Sequence, residues 1–152
     1  MSDTTVGRIK LATIYIMALL YLSVGVKHFT DVDFFLSIMP SYLPWHRELV
    51  YISGFFEVLL AVLLVIKPTR KYAAMALIAL LLAVFPANIY LYTSEAAQQA
   101  LGATPQDALI RMPFQIPLIL FAYWHGQEQS QKWLDVTCMV LFIPTLVYFL
   151  TL

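Results

Sequence analysis

Apolar residues occur along this chain in long runs that are separated by short polar segments. A helix of about 20 residues, rising about 1.5 Å per residue, covers the roughly 30 Å hydrocarbon thickness of a bilayer. Runs of this length predict transmembrane helices over residues 9–29, 47–66, 72–92 and 133–152. A further helix is predicted over 104–124, although its apolar part is short for a full crossing. The pattern therefore predicts an all-α membrane protein.

Three shorter features divide these runs. Residues 34–39 are apolar but too few to cross, so they predict an interfacial or re-entrant helical segment that ends at Pro40. Pro86 removes a backbone hydrogen bond and predicts a kink in the third run, before Asn88. Thr104 followed by a proline and an acidic residue is typical of a helix N-terminus, and Gly102 of a helix C-terminus. We expect one helix to end and the next to begin there.

The composition agrees with a membrane protein of one domain, residues 1–152. Of the 152 residues 61% are hydrophobic and 12% are charged, which is too apolar for a single soluble core. The formal net charge is zero and no basic run exists, so nucleic acid is not an expected partner. Cys138 is the single cysteine, which excludes dithiol chemistry within this chain.

The basic residues are unevenly distributed between the two sides of the predicted membrane. Six of the nine lysines and arginines fall on the side of the N-terminus: Arg8, Lys10, Lys67, Arg70, Lys71 and Lys132. Loops rich in lysine and arginine remain in the cytoplasm. We therefore predict a cytoplasmic N-terminus.

Glu57 is the residue that most needs an explanation. It lies near the middle of the second run, where a charged side chain costs about 3 kcal/mol on insertion scales and normally faces a partner, water or a bundle interior. Gly54 and Ala61 share its helical face and are small enough to allow close approach of another helix. Tyr21, Gly25 and His28 similarly share one face of the first run.

Four other polar residues are predicted at a similar depth, in the outer half of the membrane. They are His28, Asn88, Arg111 and Gln115, each near the outer end of its helix, and Arg111 lies one turn from Gln115. We expect these side chains to meet Glu57 around a cavity, with Arg111 pairing with Glu57.

Simpler interpretations exist for each of these residues. Arg111 has Asp107 one turn away, His28 and Lys27 sit where side chains extend to the interface, and Asn88 and Gln115 suit interhelical hydrogen bonds. For Glu57, the simpler interpretation is an ion pair whose role is only structural.

The sequence does not predict a haem or a metal site. His46 and His125 are expected at the surface on opposite sides, which argues against a bis-histidine haem site. No HExxH motif, cysteine cluster or second deep carboxylate accompanies His28, so we expect no metal centre.

Short motifs in a fixed order resemble those of the DoxX-like membrane proteins over residues 8–126. They are Gly25–Phe29, Phe34–Pro40 with Leu43 and Pro44, Ser53–Glu57, Pro68–Arg70, Phe85–Asn88, and Arg111–Gln115 with Trp124. The resemblance implies a transmembrane four-helix bundle in a bacterial inner membrane, linked to quinone or sulfur redox systems. Residues 133–152 depart from the shorter members by adding a fifth, C-terminal span, and the chain lacks the paired cysteines of related thiol-redox bundles.

The leading hypothesis is a membrane protein that binds a small quinone-like or otherwise amphipathic molecule. Glu57 or His28 would exchange a proton, Arg111 would hold an anion or a carbonyl oxygen, and Gln115 and Asn88 would orient the ligand. A partner redox subunit or a second copy would complete the system. The alternatives are a non-catalytic membrane scaffold, whose Glu–Arg cluster is structural, and an isomerase of a lipid-soluble substrate.

Overall fold

The computed structural model describes residues 3–151, and all the regular structure in that range is helical. The helices are α1 (Asp3–Thr30), α2 (Val32–Ser37), α3 (His46–Val65), α4 (Arg70–Thr93), α5 (Glu95–Leu101), α6 (Pro105–Arg111), α7 (Gln115–Gly126) and α8 (Lys132–Thr151). The prediction of an all-α protein is thereby confirmed.

Four of these helices are long and apolar enough to cross a membrane. The candidate spans are Thr4–Thr30, His46–Val65, Arg70–Thr93 and Lys132–Leu150, so the predicted C-terminal span is one of the four. A bilayer is the natural environment of such helices, because many of their large apolar side chains are exposed on the protein surface. The protein is therefore a multi-span membrane protein.

The helix predicted over 104–124 is divided in the structure. Helix α6 ends at Arg111 and α7 begins at Gln115, leaving α7 with 12 residues and a length of about 18 Å. Pro113 lies in the break, where a proline in a continuous helix would lack one N–H donor and clash with a preceding carbonyl. A fifth complete span is not observed in the described residues.

Helices α1, α3, α4, α7 and α8 surround one apolar core. Each packs on the next in that order, and α8 returns to contact α1. The most completely buried core side chains include Leu64, Leu77, Phe121, Trp124 and Cys138. Although α7 is too short to be a span, it is an integral part of the bundle.

Helices α1 and α3 pack closely at two glycines. A methyl group added at Gly54 would lie 2.4 Å from Cβ of His28, and one added at Gly25 would lie 3.0 Å from Cβ of Glu57. Both glycines lie on the faces predicted from sequence, and Gly54 and Ala61 are buried as expected. The close crossing of two backbones therefore sets the positions of His28 and Glu57.

Short helices cover the end of the bundle that is opposite to the basic α3–α4 turn. A second apolar cluster there contains Leu91, Ala97 and Ala108. The predicted N-cap is confirmed as a capping box between Thr104 and Asp107, and the predicted stop at Gly102 adopts a left-handed conformation. The two hydrogen bonds from Thr104 hold the pKa of Asp107 below its usual value.

The basic turn between α3 and α4 supplies hydrogen bonds to the C-terminal end of α3. Arg70 donates from Nε to the Leu64 carbonyl at 2.9 Å and from Nη2 to the Val65 carbonyl at 3.0 Å. These carbonyls belong to the last turn of α3 and have no partner within the helix.

Replacing Arg70 with methionine is expected to lower the free energy of unfolding by about 2 kcal/mol, because two charge-assisted hydrogen bonds are lost. Unfolding in detergent, followed by circular dichroism, measures this change. Lys71→Met is the matched control, since Lys71 is exposed and next in sequence. Equal losses of stability in the two variants would show that the positive charge of the turn, and not the hydrogen bonds from Arg70, stabilises the protein.

Candidate functional site

The crossing of α1 and α3 brings together the two residues predicted to exchange a proton. Nδ1 of His28 lies 3.5 Å from Oε2 of Glu57, and their side chains are 7% and 14% exposed. The pair therefore lies inside the bundle and does not face acyl chains. His28 does not reach out to the membrane surface, so its simpler interpretation is wrong.

The imidazole of His28 is held on two further sides. Nδ1 lies 2.9 Å from the carbonyl oxygen of Val24, a geometry in which a protonated Nδ1 donates to that carbonyl. The ring of Phe35 in α2 stacks on the imidazole, with 3.6 Å between the ring centroids. Helix α2 therefore covers His28 at the end of the bundle that is opposite to the basic α3–α4 turn.

Two oxygen atoms near this pair lack hydrogen-bond partners within residues 3–151. They are Oε2 of Glu57 and the hydroxyl of Tyr21, both buried. Tyr21 is close enough to Glu57 to interact with it electrostatically. Buried polar atoms are nearly always hydrogen-bonded, and leaving one without a partner costs about 1–3 kcal/mol. The interface between α1 and α3 thus contains an unused acceptor and an unused hydroxyl.

Asn88 and Gln115 form a second pair, which joins α4 to α7. Nδ2 of Asn88 donates to Oε1 of Gln115 at 2.8 Å, and Nε2 of Gln115 donates to the carbonyl oxygen of Leu81. Gln115 is 5% exposed. These hydrogen bonds are the interhelical contacts that the simpler interpretation of the two residues predicts.

Arg111 joins neither pair. Within the described part of the chain no carboxylate oxygen lies within 4 Å of its guanidinium, so the expected pairing with Glu57 is wrong. The alternative pairing with Asp107 is also wrong, because Asp107 accepts hydrogen bonds from Thr104 instead. The break at the end of α6 leaves the partly buried guanidinium without a carboxylate.

A buried polar network at the other end of the bundle was not predicted. His125 is 2% exposed, and its Nε2 lies 3.0 Å from Oγ1 of Thr13, so the expectation of a surface position is wrong. Nε1 of the buried Trp124 donates to Oδ1 of Asp135 at 2.7 Å. The one signal in the sequence was an acidic residue at the start of an otherwise apolar run, which required a donor.

Lys10 extends this network. Its Nζ donates to the carbonyl of Gln127 at 2.7 Å and to Oγ of Ser130 at 3.4 Å, and it lies 5.4 Å from the centre of the Trp124 ring.

Across residues 3–151, no three histidine, cysteine, aspartate or glutamate side chains are grouped in a way that would hold a metal ion.

The fold and these sites define a small all-helical membrane protein with polar groups at both ends of its bundle. Residues 17–126 match the model of the family described as "Domain of unknown function (DUF8561)", and because this is most of the chain, the protein belongs to that family. The match ends with α7 and leaves out α8. Neither the curated proteins nor the solved structures yield a match to this chain.

Proposed function

We propose that this protein binds a small, quinone-like amphipathic molecule beside the His28–Glu57 pair. The observation that carries this proposal is the buried Oε2 of Glu57, which has no hydrogen-bond partner within residues 3–151. An acid at this depth is costly unless something accepts or shares its proton. A ligand hydroxyl group would satisfy both residues, because it can donate to Oε2 of Glu57 and accept from the hydroxyl of Tyr21.

The chemistry at this pair is proton exchange. A carboxyl group and an imidazole at 3.5 Å differ in their protonation preferences and are suited to pass a proton to a ligand oxygen. The class of ligand follows from the resemblance of the polar motifs to those of DoxX-like proteins. Electrons for a redox reaction would come from a partner subunit.

The remaining predicted residues have supporting roles in this proposal. Arg111 has no carboxylate partner and is available to an anion or to a ligand carbonyl oxygen. Asn88 and Gln115 already bind each other and Leu81, so they would orient a ligand only by exchanging those hydrogen bonds. The proposal therefore depends mainly on His28 and Glu57.

The proposed location is a bacterial inner membrane, with the N-terminus in the cytoplasm. Lys67, Arg70 and Lys71 lie at the same end of the bundle as Lys10 near the N-terminus, which supports this orientation under the positive-inside rule. The His28–Glu57 pair then lies in the outer half, about 27 Å along α1 from Lys10.

A second candidate function is a non-catalytic scaffold for membrane assembly. The hydrogen bonds among Asn88, Gln115 and Leu81 favour it, because they use the NH2 groups of both amides and the amide oxygen of Gln115 for contacts between helices. In this case the His28–Glu57 pair would also be structural.

Purification of wild-type protein and of Glu57→Gln with native lipid distinguishes these functions. We expect mass spectrometry of the extracts to find a quinone-like molecule with the wild type and at least tenfold less with the variant, whose unfolding temperature stays close to that of the wild type. A structural pair predicts unchanged extracts and a loss of stability on the order of 3 kcal/mol. Glu48→Gln, at an exposed carboxylate of the same helix, is the control.

A further inference from the structure

A large cavity opens at the end of the bundle where α1 begins. Its volume is about 840 Å³, and it lies between the first turns of α1, the turn joining α3 to α4, and the end of α7. Ligand pockets in proteins commonly have volumes of about 300–1,000 Å³. The cavity is therefore large enough for a polar headgroup or a small molecule.

The cavity is strongly cationic. Lys10, Lys67, Arg70 and Lys71 line it, against one carboxylate, that of the exposed Glu128. Within the described range none of the four cations lies within 4 Å of a carboxylate oxygen. A concave surface with charge of one sign concentrates its field and attracts anions.

The four cations are not equivalent. Lys10 and Arg70 donate to backbone carbonyls and are fixed by the fold. Lys67 and Lys71 are exposed, and neither forms a side-chain hydrogen bond to another described residue. The cavity thus has two fixed cations within it and two adaptable ones at its rim, which suits a phosphate group.

An apolar groove adjoins the cavity. It has a volume of about 310 Å³ and lies between α1 and α3, with Tyr15, Ala18 and Val62 among the residues that line it. Tyr15 and Ala18 lie one turn beyond Leu11 and Ile14, which line the cavity. The groove also reaches Ile66, which is next to Lys67 of the cavity, so the polar and the apolar space are lined by neighbouring residues of α1 and of the α3–α4 turn.

We propose that this cavity and groove together form a binding site for an anionic phospholipid. The phosphate group occupies the basic cavity, and one acyl chain lies in the groove between α1 and α3. Basic pockets at the ends of transmembrane helices are suited to anionic headgroups. The proximity of an apolar groove whose residues are exposed on the membrane spans favours a lipid over a soluble phosphate compound. The site is separate from the His28–Glu57 pair and does not depend on its function.

The test measures thermal unfolding of the full chain in detergent, with added phosphatidylglycerol, phosphatidylcholine of the same acyl chains, or glycerol 3-phosphate. We expect phosphatidylglycerol alone to raise the unfolding temperature markedly. In the double variant Lys67→Gln/Lys71→Gln, half-saturation should need about thirtyfold more phosphatidylglycerol, because each basic residue near the surface contributes about fivefold. The unfolding temperature in phosphatidylcholine shows that the variant is folded.

Arg8→Gln/Lys132→Gln is the matched control, since it removes two exposed cations from the same end but outside the cavity. Equal weakening in both double variants would overturn the proposal in favour of diffuse surface charge. Equal stabilisation by glycerol 3-phosphate would show a site for soluble phosphates. Val62→Trp, at a half-exposed groove position, should weaken phosphatidylglycerol binding; unchanged binding would place the acyl chain elsewhere.

Discussion

Replacing Gly54 with alanine is expected to lower the free energy of unfolding by about 3 kcal/mol, although alanine is the better helix former. The added methyl group would lie 2.4 Å from Cβ of His28 and 3.0 Å from the carbonyl oxygen of Gly25. Neither atom is the end of a flexible side chain, so α1 and α3 must move apart. Overpacking of this kind costs about 1–3 kcal/mol, and here it also separates His28 from Glu57.

Gly7→Ala is the control for the gain in helix propensity. Like Gly54, Gly7 lies within a helix, in this case α1, and a methyl group there meets nothing within 4 Å. We expect this variant to be as stable as the wild type or up to about 1 kcal/mol more stable. Unfolding by a graded mixture of denaturing and mild detergents measures both changes. Similar stability of the two variants would mean that α1 and α3 do not cross closely at Gly54.

Replacing Asp135 with alanine is expected to cost about 3 kcal/mol of stability. Asp135 accepts hydrogen bonds from Nε1 of Trp124 and from Oγ of Ser130, and Trp124 is completely buried. The substitution would leave the indole N–H without a partner in the core, and hydrogen bonds to charged groups contribute about 1.5–3 kcal/mol. Tryptophan fluorescence during unfolding follows this region, although Trp45 and Trp133 are exposed and contribute to the signal.

Asp135→Asn separates the hydrogen bond from the charge. Its amide oxygen can still accept from Trp124, so we expect a loss of less than half that of the alanine variant. Equal losses would show that the negative charge beside Lys10, and not the hydrogen bond to the indole, holds this end of the bundle together.

Helix α1 connects the two polar regions of the molecule. Lys10 and Thr13 belong to the network around Trp124 and His125, whereas Tyr21, Gly25 and His28 belong to the crossing with α3. The proposed lipid site adjoins the first region, and the proposed site for a quinone-like ligand adjoins the second. The two proposals can therefore be tested separately, one by the variant of Glu57 and the other by the variant of Lys67 and Lys71, which lie in different regions of the bundle.

The helical faces that form the α1–α3 contact were predictable. Tyr21 and His28 on one run, and Gly54, Glu57 and Ala61 on another, follow helical spacing, and the structure packs these faces against each other. The partner of Glu57 was not predictable in the same way. Arg111 lies at the end of a helix that breaks before Gln115, and the direction of a side chain beside such a break depends on tertiary packing.

The environment of His125 shows the same limit. A polar residue next to a glycine and a glutamine at the end of a helix is typical of a surface position. The imidazole is nevertheless buried, because α7 packs closely on α4 at Gly126 and Oγ1 of Thr13 lies within hydrogen-bond distance of the ring. Sequence patterns report the average environment of a segment and not the donor that one neighbouring helix supplies.

The sequence by itself determined that this is an all-helical membrane protein, where most of its helices begin and end, and that Glu57 is buried in a bilayer span. These properties depend on local chemistry: the length of apolar runs, the capping residues and the cost of charge in hydrocarbon. The tertiary structure alone decided that Glu57 faces His28 and not Arg111, that Gln115 and Asn88 bind each other in a separate pair, and that Asp135 accepts a hydrogen bond from Trp124. These contacts join residues far apart in the chain, and their geometry depends on how closely whole helices approach one another.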